Sequence, residues 1–151
     1  MKVEEILTNI KTNITLNDIE DFFKEKNIFL PNEYKKFILI FDQSIIKYDN
    51  ILIKRQLFNR STQDLYLGNF LSFEEFKENF TYFFETSKEE DLVESSVTVI
   101  GRTNGRTSIC IGINQNNSGQ IFLWDGDFGV TKQANNLKTF FDSLTMDDST
   151  L

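Results

Sequence analysis

The stretch IGRTNGRTSICIGINQNNSGQIFLWDGDFG, from Ile100 to Gly129, decides the fold of this chain. Ile109, Ile111 and Ile113 alternate with Ser108, Cys110 and Gly112, and Ile121 and Leu123 repeat the same period of two, so these runs read as strands with one buried face. Asn104-Gly105 is a two-residue hairpin signal of type I′, because both central positions need a positive φ that Asn and Gly tolerate. Asn114 to Gly119 reads as a longer polar connection, and Asp125-Gly126 as a tight turn feeding Phe128 to Thr131. An antiparallel meander follows.

Working outward, Thr15 with Asp18 marks a helix start, and Leu16, Ile19, Phe22 and Phe23 fall on one face as far as about Lys26. Pro31 suits the first turn of a second helix, where its missing N–H costs nothing, with Tyr34, Phe37, Ile38 and Phe41 along the buried side. Between Ile45 and Phe70 two or three strands are expected, around Ile51 to Ile53 and Leu65 to Phe70, separated by polar Asn59 to Asp64. Ser72-Phe73-Glu74-Glu75 is a capping box opening a third helix to about Phe84, with Phe73, Phe76, Phe80 and Phe83 or Phe84 inward. Asn136 can cap a last helix. The expected architecture is α+β: one domain, a mostly antiparallel twisted sheet of about five or six strands, with N-terminal, central and C-terminal helices packed on it. Its expected bounds are 14–145, with 1–13 as an N-terminal extension and 146–151 as a flexible tail.

These blocks resemble the SUKH superfamily, whose members share Ile-Gly, a Gly-containing turn, an I-C-x-G-like strand and Gly-x-Ile-Phe-x-Trp-Asp. Here they are Ile100-Gly101, Asn104-Gly105, Ile109-Cys110-Ile111-Gly112, Gly119-Gln120-Ile121-Phe122 and Trp124-Asp125. Upstream, Leu30-Pro31-Asn32-Glu33-Tyr34-Lys35-Lys36-Phe37-Ile38 is similar to the family's Leu-Pro-x-x-Tyr-x-x-Phe-Leu block, and Leu137, Phe140, Phe141 and Leu144 close the pattern. Two places depart from it: Phe41-Asp42-Gln43-Ser44 stands where the family often has Asn-Gly, and Arg106-Thr107 where it often has Gly-Asp. The resemblance implies an intracellular binding module, most commonly an immunity protein that neutralises a toxin delivered between bacteria. Some relatives are regulatory scaffolds.

Composition narrows the chemistry. With 151 residues the chain can bury a core without a metal or disulfide, and its single cysteine, Cys110, leaves no intrachain disulfide, which fits a reducing compartment. The opening MKVEEILTNI does not suit a signal peptide, and no window approaches the ~18 apolar residues of a membrane span, so a cytoplasmic protein without membrane contact is expected. No histidine is present, which removes Ser-His-Asp and Cys-His constellations and imidazole-bound zinc. Cys110, alternating with isoleucines, reads as a buried structural thiol. Asp125-Gly126-Asp127-Phe128-Gly129 contains a DFG triplet, but no His-Arg-Asp and no Gly-rich phosphate loop accompany it. As an Asp-x-Asp pair it offers a cation too few donors, so turn chemistry explains it first and partner contact second. No enzyme, cofactor or metal is expected.

The charge balance points to a partner instead. Twenty-three Asp and Glu against 16 Lys and Arg, net −7, disfavour direct nucleic-acid binding, which relies on a basic footprint. The excess concentrates in Ser72 to Ser96, where eight carboxylates face two lysines. That segment reads either as a solvated face or as a docking patch for a basic protein. On the second reading Glu85, Glu89, Glu90, Asp91 and Glu94 carry partner binding, with Asp125 and Asp127 as a second site. Glu74 and Glu75 are better explained as stabilising their own helix start. If the toxin is a nuclease, its electropositive groove would attract such an inhibitor at high rate. The expected function is therefore a cytoplasmic immunity-type protein, favoured as a monomer, that blocks a cognate, basic toxin by direct binding; the alternative is a scaffold or regulatory adaptor of the same fold.

Overall fold

Thr15 starts the first long helix as expected: its hydroxyl accepts the Asp18 N–H at 3.2 Å while the Asp18 carboxylate accepts the Thr15 N–H at 3.0 Å. The same reciprocal pair recurs between Ser72 and Glu75, and Asn136 accepts the Thr139 N–H at 2.7 Å. Each device satisfies N–H groups that a helix start leaves without an internal partner. In the computed structural model, which describes residues 1–8, 12–57, 60–80 and 96–148, the helices are α1 (Val3–Ile6), α2 (Leu16–Glu25), α3 (Asn32–Phe41), α4 (73–80) and α5 (Leu137–Ser143). Pro31 sits one place before the first helical residue of α3, where its carbonyl accepts from Tyr34 at 3.1 Å.

The described strands are β1 (Ile51–Gln56), β2 (Thr62–Phe70), β3 (Val97–Thr103), β4 (Ser108–Gly112), β5 (Ile121–Asp125), β6 (Gly129–Ala134) and β7 (Thr145–Met146). They form one curled antiparallel sheet in the order β6-β5-β4-β3-β2-β1-β7. The fold is α+β, with seven strands rather than five or six. The additional one is β7, whose two residues pair with Ile51 and Leu52 and are too short to show a period of two. Some of the described residues expected as flanks join the folded body. Ile6 and Leu7 are buried and Leu7 bridges Ile46, while Asp147 donates its N–H to the Asn50 carbonyl at 2.9 Å.

All helices cover one face of the sheet. Ile53, Ile109, Ile111, Ile121 and Leu123 meet Ile19, Phe23, Tyr34, Phe37, Phe76, Phe140 and Phe141 in a single cluster. The phenylalanines interlock edge-on and stacked, for example Phe22 against Phe80 at 5.8 Å and Phe37 against Phe70 at 5.4 Å between ring centres. Such offset and T-shaped pairs favour the contact of a ring's edge with its neighbour's face. Phe73, Phe76 and Phe80 of α4 point inward as expected; Phe83 and Phe84 lie outside the described residues.

Two readings need correction. The expectation of one buried face per strand fails for β3 and β4, which are buried on both. On the outer face Leu71, Val97, Val99 and Cys110 form a second, smaller cluster with the partly buried Phe122 and Trp124. The Asn104-Gly105 turn is not of type I′, because neither residue has a positive φ. The connection runs through three residues instead, closed by the Thr103 N–H donating to the Thr107 carbonyl at 3.1 Å. The Asn104 N–H is drawn sideways to the Tyr66 carbonyl of β2 at 2.9 Å. A tertiary hydrogen bond thus overrides the local preference of the dipeptide. Where the family pattern often has Asn-Gly, Gln43 itself takes a left-handed conformation at φ 58°, and the neighbouring Asp42 carboxylate turns inward to accept the Phe73 N–H at 2.7 Å.

The connection from β4 to β5 is long and polar, as its sequence suggested. Gly119, at φ 80°, lies against Pro31, whose Cγ would stand 2.8 Å from any added Cβ. The Ser118 hydroxyl donates to the Phe29 carbonyl at 2.6 Å, so this loop docks on the α2–α3 connector.

Candidate partner-binding surface

The turn after β5 is built around one carboxylate. Asp125 Oδ1 accepts the N–H groups of Asp127 at 2.9 Å and Phe128 at 2.8 Å, which fixes the reversal into β6. Its Oδ2 accepts from the Arg55 guanidinium and from the Thr107 hydroxyl at 3.3 Å. Strand parity explains the meeting. Ile51 and Ile53 of β1 face the core, so Arg55 does too; Ile121 and Leu123 of β5 face it, so Asp125 follows.

Arg55 is fully buried, and its donors are spread over three elements. Nε donates to the Thr131 hydroxyl at 2.9 Å, one terminal nitrogen to Asp125 and the other toward the Gly129 carbonyl at 3.5 Å, with the Phe128 ring 5.2 Å from the guanidinium carbon. Burial pushes the Asp125 carboxyl up, but the hydrogen bond and charge of Arg55 and the two turn N–H groups outweigh it and hold the group below its ordinary value of 3.8. The carboxylate is charged at neutral pH.

Of the expected second site, Asp125 therefore faces inward, and its role is to hold the turn on which Gly126, Asp127 and Phe128 are exposed. Glu85, Glu89, Glu90, Asp91 and Glu94 lie outside the described residues. The helix leading to them is described, and its acidic residues divide. Glu75 closes the cap with Ser72, as expected; Glu74 pairs with Lys77 at 2.8 Å, whose ammonium lies 4.9 Å from the Phe73 ring centre. Between α2 and α4, Glu74 and Lys77 border a groove of about 400 Å³ that also has Asp18, Asp21 and Glu25 on its walls and Phe22 and Phe73 beneath. Sequence reading did not bring Asp21 and Glu25 together with Glu74, because it assigned no packing between the two helices. Arg55 was missed as well. The signal was present in ILIKRQ, where a cation occupies an inward position of an alternating strand and requires a buried counter-charge.

No group of three His, Cys, Asp or Glu side chains among the described residues could hold a metal ion. Cys110 is fully buried, and desolvation pushes its thiol up to about 12, so it is neutral and unreactive in the folded protein. No described helix is long and apolar enough to cross a membrane.

A two-helix entrance, an antiparallel meander carrying Trp124-Asp125 and a final helix laid on the inner face define the α+β class of this fold. The chain belongs to the SMI1 / KNR4 family (SUKH-1), whose family model matches residues 13–143. That family includes toxin immunity proteins and regulatory proteins and is generally non-enzymatic. Comparison with curated proteins gives no match.

Proposed function

We propose that the chain is an immunity-type protein that neutralises a cognate toxin by binding it directly in the cytoplasm. The observation that carries this reading is membership of the SUKH-1 family. The net charge of −7 supports a basic partner, since an acidic inhibitor is steered toward an electropositive groove and occupies the surface that would receive phosphates. In this reading Glu85, Glu89, Glu90, Asp91 and Glu94 make the main approach. Asp127 adds a second contact from a turn that Asp125 holds rigid.

The test begins with capture of the partner from cells expressing the tagged full chain and the neighbouring reading frames. Reversing two or three of the five segment charges to Lys should slow association with that partner by about one to three decades at low salt, with a smaller effect once screening shortens to ~10 Å. An unchanged association rate and salt slope would move the interface elsewhere. Weak binding to several unrelated proteins, with no toxin among them, would favour the adaptor reading instead.

A further inference from the structure

The groove between α2 and α4 is unbalanced in charge. Asp18, Asp21, Glu25 and Glu74 stand on its walls against Lys77, four carboxylates to one ammonium, and all four acidic residues are exposed. Glu74 already holds Lys77 at 2.8 Å, with that ammonium over the Phe73 ring. Asp21 and Glu25 form no ion pair among the described residues, whereas Glu20, on another side of the same helix, reaches Lys35 of α3 at 3.9 Å. The excess therefore lies along the α2 wall.

Beneath these charges the floor is apolar and already ordered. The half-buried Phe22 meets Phe73 edge-on at 5.9 Å and Phe80 at 5.8 Å between ring centres, so an occupant finds the surface formed. Asp18, Asp21 and Glu25 follow one another at i, i+3 and i+7, which lays them along one side of α2 with about one helical turn, ~5.4 Å, between neighbours. Lys or Arg at the same spacing on a second helix comes opposite each carboxylate in turn, whereas alternate residues of an extended chain recur at about 7 Å and fall out of step. A furrow between two helices also accepts a third by shape. An apolar centre within a polar rim is the anatomy of a protein interface.

We propose that this groove docks a basic amphipathic helix of a partner protein, its apolar stripe on Phe22 and its Lys or Arg side chains against Asp18, Asp21 and Glu25. The inference goes beyond the toxin reading and does not rest on it, so each can fail without the other.

The probe is a displayed library of helical peptides of about 15 residues, with apolar residues fixed at helical spacing and the flanking positions randomised, selected on the full chain. Enrichment of Lys and Arg recurring at helical spacing on the flanks is expected. The selected peptides should lose roughly tenfold or more in affinity on the double variant Asp21→Lys with Glu25→Lys, both exposed positions at which the melting temperature should move little. Changing the peptides' basic residues to Glu should restore binding to that variant, which also shows that it is folded. Glu5→Lys with Asp49→Lys makes the same change in net charge at exposed residues that do not border the groove, and should leave the affinity within about twofold. The inference is overturned by no enrichment, by basic residues enriched without helical spacing, or by peptides that bind the groove variant undiminished. An equal loss on the two double variants would assign the binding to the overall negative charge and overturn it too.

Discussion

The inner face of the sheet is covered by phenylalanines from four helices, whereas the outer face of β3 to β5 carries Leu71, Val97, Val99 and Cys110 with a half-buried Phe122 and Trp124. One sheet thus supports two cores of unequal depth. At its margin near β1 and β6 the inner face ends in the Arg55–Asp125 pair instead of further rings. Apolar burial is tolerant of shape changes and sums over many contacts, while a buried ion pair depends on each partner being present. The difference assigns most of the stability to the inner face and leaves the outer face and the turns to shape the surface.

The largest expected effect tests that inequality. Phe140→Ala, at a fully buried inner position, should cost ~3–5 kcal/mol in urea denaturation, whereas Trp124→Ala on the outer face should cost distinctly less. Equal losses would show that the two faces share one core. Next comes the margin. Arg55→Met leaves Asp125 charged and uncompensated beside the core and should cost about 3–5 kcal/mol, and adding Asp125→Asn should recover part of the loss because the amide oxygen can still accept the turn N–H groups. Strict additivity of the two losses would show that the side chains are not coupled.

A smaller effect appears with acid. Because folding lowers the Asp125 pKa below 3.8, its contribution is present above the unfolded-state value and is lost as pH falls from about 5 through the lower folded-state value. The chemical-denaturation midpoint should therefore fall across that window more steeply for the parent than for Asp125→Asn, and parallel curves would remove the pair from the acid response. The smallest effect should be at Cys110. With its thiol pushed up to about 12 and no surface exposed, it should resist alkylation at neutral pH until denaturant is added. Rapid labelling of the folded chain would mean that the outer core opens locally.

Local devices were the most legible part of the sequence. Thr15, Ser72 and Asn136 cap helices as read, and Asp125 makes its turn, because each acts within three residues of itself. Where a longer-range contact competed, the reading failed. Asn104 was claimed by the Tyr66 carbonyl on another strand, and β7 exists only because β1 offers it an edge. The outer cluster escaped for a related reason: Cys110 and Gly112 looked like the polar phase of an alternation, yet Cys is a small hydrophobe, and Gly112 is required where Asn117 passes too close for any side chain. The candidate surface was legible as charge and little more. Composition located the acidic excess, but not the inward turn of Asp125 or the convergence of Asp18, Asp21, Glu25 and Glu74 along two helices.

Arg55 and Asp125 are 70 residues apart in the chain, and their meeting requires the sheet to have curled until β1 lies opposite β5 and β6. Such a contact contributes nothing while the strands are still pairing, because it must wait for the long closures on which it depends. Its stabilisation is expected to belong to the exit from the native state: removing the pair should speed unfolding and leave the rate of folding almost unchanged.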